Sequence, residues 1–195
     1  MAVLPHSGVV DSHGADHPPV LLLPGWQNSG DGHWQTLWEA YFGDIRVQQH
    51  DWLAPKRGDW MVQLEEAVRA QPGPVLLAAH SLGCHLVAAW AAHSQQVGRV
   101  AGALLVAPPD VQQDDWPLVL PSWRQPLLQP LPFAAQVLSS TDDPFDRAGR
   151  AAHHAQAWGA RHLSLGTRGH LNAESGLGLW PQGRAWLRSL LEPDV

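Results

Sequence analysis

Val75-Leu76-Leu77-Ala78-Ala79-His80-Ser81-Leu82-Gly83-Cys84-His85 is an apolar run that stops at a serine between small residues and resumes as an alanine-rich, helix-like segment. We read it as a nucleophile elbow. A serine on a sharp strand-to-helix turn has its hydroxyl raised above the sheet edge, where the next backbone N–H and the helix N-terminus can meet an oxyanion. Such a turn needs small neighbours: Gly83 suits it, and Ala79 stands where the G-x-S-x-G pattern has its first glycine. Taken by itself, the stretch also describes a buried strand followed by an ordinary helix with a capping serine.

The flanking chain favours the elbow. Pro19 to Leu23 is a short apolar run ended by Pro24-Gly25, the pattern of a strand covered on both faces that then turns sharply. Trp34, Leu37, Trp38 and Tyr41 recur at helical spacing, and a second strand is expected near Ile45-Arg46-Val47. Asp59 is expected to cap a helix whose inward stripe is Trp60, Leu64, Ala67 and Val68, with Pro72-Gly73 ending it. Beyond the elbow, Leu86, Val87, Trp90 and Ala91 suit a central helix, and Val100 to Ala107 another buried strand. The spacing then predicts an irregular, proline-rich excursion from Pro108 to Pro132, placed to serve as a lid over the strand ends. A strand over Ala134–Leu138, a helix over Ala148–Trp158, a strand over His162–Leu165 and a helix over Trp180–Leu191 follow. Strands that are apolar throughout, alternating with helices, imply an α/β fold with a mostly parallel central sheet and helices on both faces, a three-layer αβα sandwich.

A serine hydroxyl is a weak nucleophile at neutral pH, so the elbow has chemical meaning only if other strand ends supply a base and an acid. Ser139-Ser140-Thr141-Asp142-Asp143-Pro144-Phe145 follows one expected strand, and Gly166-Thr167-Arg168-Gly169-His170 follows the next. The order Ser81, Asp, His170 is that of the α/β-hydrolase fold. Asp143, immediately before Pro144, is favoured as the acid; Asp142 is then the residue that caps the turn, and Asp146 is a third choice. The candidate oxyanion donors are the backbone N–H groups of Leu82 and of Trp26, in the loop after the first strand.

These residues resemble the family of small serine hydrolases that includes retinoblastoma-binding protein nine and the bacterial YdeN-like proteins. The likeness runs from Val20 onward and rests on Leu23-Pro24-Gly25-Trp26-Gln27-Asn28, Ala79-His80-Ser81-Leu82-Gly83, Ser140 to Phe145, and Gly169-His170-Leu171-Asn172-Ala173-Glu174-Ser175-Gly176. It implies a compact α/β-hydrolase with Ser81, Asp143 and His170 as its triad, acting on small acyl esters. It does not imply a retinoblastoma-type partner: the human member's L-x-C-x-E motif is absent, because Cys84, the single cysteine, sits in Leu82-Gly83-Cys84-His85-Leu86.

Composition narrows the alternatives. With 195 residues, 45% of them hydrophobic, the chain suits one domain over 19–195 preceded by a flexible lead-in over 1–18. A formal charge of −6, 12 Lys and Arg and no basic run argue against nucleic acid. One cysteine permits no intramolecular disulfide and suits a reducing, cytoplasmic setting, and no apolar run approaches the ~20 residues of a membrane helix. Twelve histidines carry no H-E-x-x-H, and consecutive His153-His154 point apart on a helix, so neither a metal nor another cofactor is expected. His80 and His85 are expected to be hydrogen-bonded packing residues, Cys84 a small buried hydrophobe, and Asn172, Glu174 and Ser175 holders of the base loop. The eleven tryptophans are expected to be mostly core, with Trp34, Trp38, Trp60, Trp90 and Trp186 on helix faces, while Trp26, Trp116 and Trp123 fall in loops and are candidates for the substrate pocket wall. The expected function is hydrolysis of a small-molecule ester; the alternatives are a catalytically quiet binding protein on the same fold and an acyltransferase.

Overall fold

A computed structural model describes residues 17–192, so most of the lead-in expected over 1–18 lies outside the described residues. The apolar runs become strands β1 (Val20–Leu23), β2 (Ile45–Arg46), β3 (Val75–His80), β4 (Val100–Val106), β5 (Ala135–Ser139) and β6 (Arg161–Ser164). They form one six-stranded sheet in the order β2-β1-β3-β4-β5-β6, every pair parallel.

Alternate side chains explain why these strands carry no polar face. Leu21, Leu23, Val75, Leu77, Ala79, Leu105 and Val137 enter one core with helices α2 (Arg57–Ala70), α3 (Leu82–Ala91) and α4 (Ala151–Trp158). Leu22, Leu76, Ala78, Leu104, Val106 and Leu138 enter a second core with α1 (Trp34–Phe42) and α5 (Pro181–Ser189). Both faces are thus dry, and each fully buried Leu or Val contributes roughly 2 kcal/mol.

Several boundaries differ from the sequence expectation by a few residues. Helix α2 begins at Arg57 with Lys56 at its cap, so Asp59 lies in the first turn, where its charge meets the helix dipole instead of capping it. Helix α4 begins at Ala151, because the Asp146 carboxylate accepts the Arg150 and Ala151 N–H groups at 2.6 and 3.0 Å and fixes its start. Strand β6 lies one residue earlier than expected and is exposed along its length, as an edge strand can be. Among the described residues no helix is long and apolar enough to cross a membrane.

The chain leaves β1 for the edge strand β2 and returns on the other side as β3, so the winding direction reverses between β1 and β3. Loops leaving the carboxyl ends of those two strands part company there, which opens a crevice at the point where such sheets bind ligands.

Candidate active site

Ser81 is the residue directly after β3, and its N–H donates to the Val106 carbonyl at 2.9 Å, extending the ladder by one step. Its backbone, at φ 54° and ψ −124°, lies in a region that non-glycine residues rarely adopt. Two glycines make that turn possible. A Cβ on Gly83 would lie 2.2 Å from the Leu23 carbonyl oxygen, and one on Gly25 would lie 2.7 Å from the Ser81 Cβ. Helix α3 therefore presses its first turn onto the end of β1, and the loop after β1 crosses directly over Ser81. Ala79 is tolerated because it is still strand, with its Cβ buried in the core.

The same close approach carries the next residue, Trp26, to the serine. Neither the Trp26 nor the Leu82 backbone N–H has an acceptor among the described residues. Trp26 is held by its indole N–H donating to the Leu53 carbonyl at 2.9 Å and by the Gln27 N–H donating to the Trp52 carbonyl at 3.0 Å. Behind it, the buried Arg46 guanidinium donates to Asn28 Oδ1 at 2.6 Å, the Ser29 carbonyl at 3.0 Å and Thr36 Oγ1 at 2.8 Å, and pairs with Glu39. This clamp shapes the turn in which Gln27 and Asn28 both have positive φ.

The acid and base loops leave neighbouring strands, β5 and β6, and are laced together by the Thr141 N–H donating to the Gly166 carbonyl at 2.9 Å and the Leu165 N–H donating to the Ser139 carbonyl at 2.8 Å. Of the three aspartates considered, Asp143 is the one at the imidazole: its carboxylate oxygens lie 2.8 and 2.9 Å from His170 Nδ1, and Oδ1 also accepts the Phe145 N–H at 2.9 Å. Both side chains are nearly closed to solvent, 2% exposed for Asp143 and 9% for His170. Because the carboxylate accepts the Nδ1–H hydrogen bond, Nε2 is left with its lone pair. Asp142 Oδ1 instead accepts Ser140 Oγ–H, Arg168 N–H and Gly169 N–H at 2.6–2.8 Å and braces the base loop. Those bonds hold its carboxyl below the usual range, the Ser140 bond most strongly, whereas burial raises that of Asp146.

Ser81 and His170 line one cavity of about 360 Å³ together with Gly25, Trp26, Leu82 and His80. Among the described hydrogen bonds none joins Ser81 Oγ to the His170 ring; bonds between nucleophile and base are commonly long until substrate is bound. His80 donates its Nε2–H to the His170 carbonyl at 2.8 Å, and its ring lies edge-on to those of His170 and His33 at 4.8 and 4.7 Å. Burial pushes His80 well below 6.5, with His170 and His33 adding to the effect. His33, the cap of α1, accepts the Gln35 N–H at Nδ1 and is lowered to about 3, first by burial and then by Arg46 and His170. Both imidazoles are therefore neutral neighbours of His170.

Of the three tryptophans expected at the pocket wall, Trp26 lines the cavity, as does Trp116 with Pro117 and Leu120 from the irregular excursion. Trp123 does not, and this corrects the expectation. It is fully buried, donates its indole N–H to the Pro55 carbonyl at 3.0 Å and packs edge-on against Trp60, because a one-turn helix at Pro121–Trp123 drives it into the core. Cys84 is likewise core: its Sγ lies 3.3 Å from the Val106 carbonyl, and burial pushes its thiol well above the ordinary value. Sequence reasoning gave no place at the site to His33 or the Arg46 clamp. For His33 and Arg46 the chain carries no local signal, since His33 matters through its ring contact with His80 and Arg46 through bonds to Asn28 and Ser29, 18 and 17 residues away. Pro24-Gly25 did carry one, as a sharp turn after a strand.

A family model described as serine hydrolase matches residues 20–189. No curated protein matches the chain in sequence. Among solved structures, a hydrolase described as YdeN-like from Pectobacterium atrosepticum is 30% identical, with a TM-score of 0.77 over 89% of this chain and 90% of that one. The ydeN gene product of B. subtilis is 20% identical, with a TM-score of 0.71 over 89% and 98%. A thermophilic esterase from Thermogutta terrifontis is 16% identical, with a TM-score of 0.64 over 89% and 90%, and these last two likenesses concern the fold alone.

Proposed function

The chain belongs to the serine hydrolase family, and from that premise we propose that it is a carboxylesterase cleaving small acyl esters through Ser81, His170 and Asp143. The observation that carries the reading is the pair of short contacts from Asp143 to His170 Nδ1, in a cavity that also holds a serine on a strained strand-to-helix turn. Packing a hydrophobic core has no need of that combination, whereas acyl transfer does.

The steps follow from the donors and acceptors. His170 Nε2 takes the Ser81 proton as Oγ attacks the ester carbonyl carbon, and Asp143 holds the imidazole in the Nδ1–H tautomer and stabilises its charged form. The oxyanion forms beneath the Trp26 and Leu82 N–H groups, at the positive end of α3. His170 then protonates the departing alcohol, leaving an acyl group on Ser81. Water, activated by the same base, releases the acid. Buried neutral His80 and His33 make His170 the one imidazole of the cluster that gains charge, so no second cation opposes it. A cytoplasmic setting fits a chain whose single cysteine, Cys84, is buried.

A fluorophosphonate probe tests the nucleophile. Labelling should be lost in Ser81→Ala, and undiminished labelling of that variant overturns the reading. Product analysis with added alcohols and amines separates hydrolysis from acyl transfer.

A further inference from the structure

The walls of the cavity that holds Ser81 are chemically lopsided. Its lining contains no Lys or Arg, and among its side chains Glu174 is the one carboxylate. That carboxylate is exposed and has neither a hydrogen bond nor an ion pair with any described residue. Its backbone is nonetheless fixed: the Glu174 N–H donates to Asn172 Oδ1 at 3.1 Å, and Ser175 Oγ–H, which accepts the Asn172 N–H, donates to the Arg168 carbonyl at 2.7 Å. Arg168 borders the adjoining surface groove with Glu174 but makes no ion pair with it. A carboxylate presented on a capped turn, without an ion pair among the described residues, is free to attract a cationic group into this cavity.

Aromatic walls point the same way. Trp26, Trp116 and Phe145 line the cavity. The indole N–H of Trp26 donates to Leu53 and that of Trp116 to the Leu120 carbonyl at 3.2 Å, so neither has its polar edge left for a ligand. What these side chains still offer is the negative π face, which attracts cations. Phe145 stands beside the base, its ring 4.5 Å from that of His170, so a group seated there lies next to the scissile bond. His33 and His80 do not offset this field, since burial holds both in the neutral form. The formal charge of −6 adds a general bias in the same direction.

We propose that the ester this site takes carries a cationic nitrogen, seated by the Glu174 carboxylate against the rings of Trp26, Trp116 and Phe145. The inference names the substrate class of the hydrolase reading above and rests on it. Esters bearing a carboxylate meet the opposite field and are the poorest substrates of the site.

The test compares matched esters that differ only in replacement of the quaternary nitrogen by carbon. One pair carries the group on the alcohol half, choline butyrate against its neutral carbon isostere. The other carries it on the acyl half, a p-nitrophenyl ester ending in trimethylammonium against its tert-butyl counterpart. The ammonium ester of one pair should have a kcat/KM about tenfold higher, within the range of a cation held by aromatic faces and a carboxylate. Glu174→Gln should bring that ratio to about one, while Glu66→Gln, which removes an exposed carboxylate on α2 away from this cavity, should leave it in place. A ratio near one in both pairs overturns the proposal, as does a preference that survives Glu174→Gln. A second readout needs no turnover: choline and its carbon isostere are titrated calorimetrically into Ser81→Ala protein, with and without Glu174→Gln. Tighter binding of choline that depends on Glu174 supports the cation seat even if no ester is cleaved, an outcome in which the esterase reading alone fails. Equal binding of the two alcohols overturns the cation seat.

Discussion

Asp143→Asn separates a catalytic acid from a structural one. In the native loop Asp143 Oδ1 accepts the Phe145 N–H at 2.9 Å while both oxygens face His170 Nδ1 at 2.8 and 2.9 Å. An asparagine would keep its oxygen on the Phe145 N–H and turn its NH2 toward the ring. Nδ1 must then accept, the proton moves to Nε2, and the atom that should take the serine proton has none of its lone pair left. The substitution is nearly isosteric, so the fold is retained while turnover falls by about ten-thousand-fold, roughly 5 kcal/mol of transition-state stabilisation. Asp142→Asn is the matched control. Its three bonds, from Ser140, Arg168 and Gly169, all end on one oxygen, Oδ1, which the amide preserves, so a loss below about tenfold is expected. Initial rates on p-nitrophenyl acetate, with active sites counted by fluorophosphonate labelling of wild-type protein and circular dichroism as the folding control, decide the ranking. Equal losses in the two variants, or more than a tenth of wild-type turnover in Asp143→Asn, refute the tautomer argument.

Gly83→Ala places a Cβ 2.2 Å from the Leu23 carbonyl oxygen and should destabilise by about 3 kcal/mol, read as a thermal midpoint lower by about 10 °C; an unchanged midpoint means α3 does not press on β1. Trp123→Ala should lower stability by about 3 kcal/mol and leave acyl-chain preference alone, while Trp116→Ala should alter that preference; the reverse pattern would return Trp123 to the pocket wall. Burial lowers His33 and His154 to about 3 and His85 to about 4 from 6.5, so the unfolded chain binds protons that the folded chain refuses. Stability is therefore full above pH 6.5 and falls as pH drops toward those values, by about 1.4 kcal/mol per pH unit for each histidine. His154→Phe, which keeps the ring stacked on Trp158, should flatten the fall in urea midpoint between pH 6.5 and 4.5, and an unaltered slope counts against the buried-histidine account.

The parts of this molecule that announce themselves in sequence are those whose physics is local. A strand covered on both faces must be apolar at every position, which is why Val20–Leu23, Val75–His80 and Val100–Val106 were readable without any partner in view. The serine was readable because it directly follows such a strand, and Asp143 and His170 because they stand in the short loops that leave β5 and β6. What was not readable is set by contacts between distant segments. Asp59 has the composition of a cap, yet α2 starts two residues before it; Trp123 has the look of a loop aromatic, yet a three-residue helix turns it inward. In sequence Glu174 reads as a holder of the His170 loop, and only the loop after β1, arriving from the other end of the chain, makes it a cavity wall.

The missing glycine of the elbow shows the same division. Close packing of α3 on β1 requires a glycine two residues after Ser81, because that is where a Cβ meets the Leu23 carbonyl; two residues before Ser81 the chain is still strand, with Ala79 beside Leu105 in the ladder and its methyl in the core. The site's second requirement for a bare Cα falls outside the motif, at Gly25, where the loop after β1 must pass over Ser81 to bring the Trp26 N–H near it. Reversal of the winding between β1 and β3 is what makes that crossing geometrically available, since no other pair of strand ends opens in both directions. The elbow and the Pro24-Gly25-Trp26 turn are thus two halves of one steric solution, and Gly25→Ala should disable the nucleophile as surely as any change within the elbow.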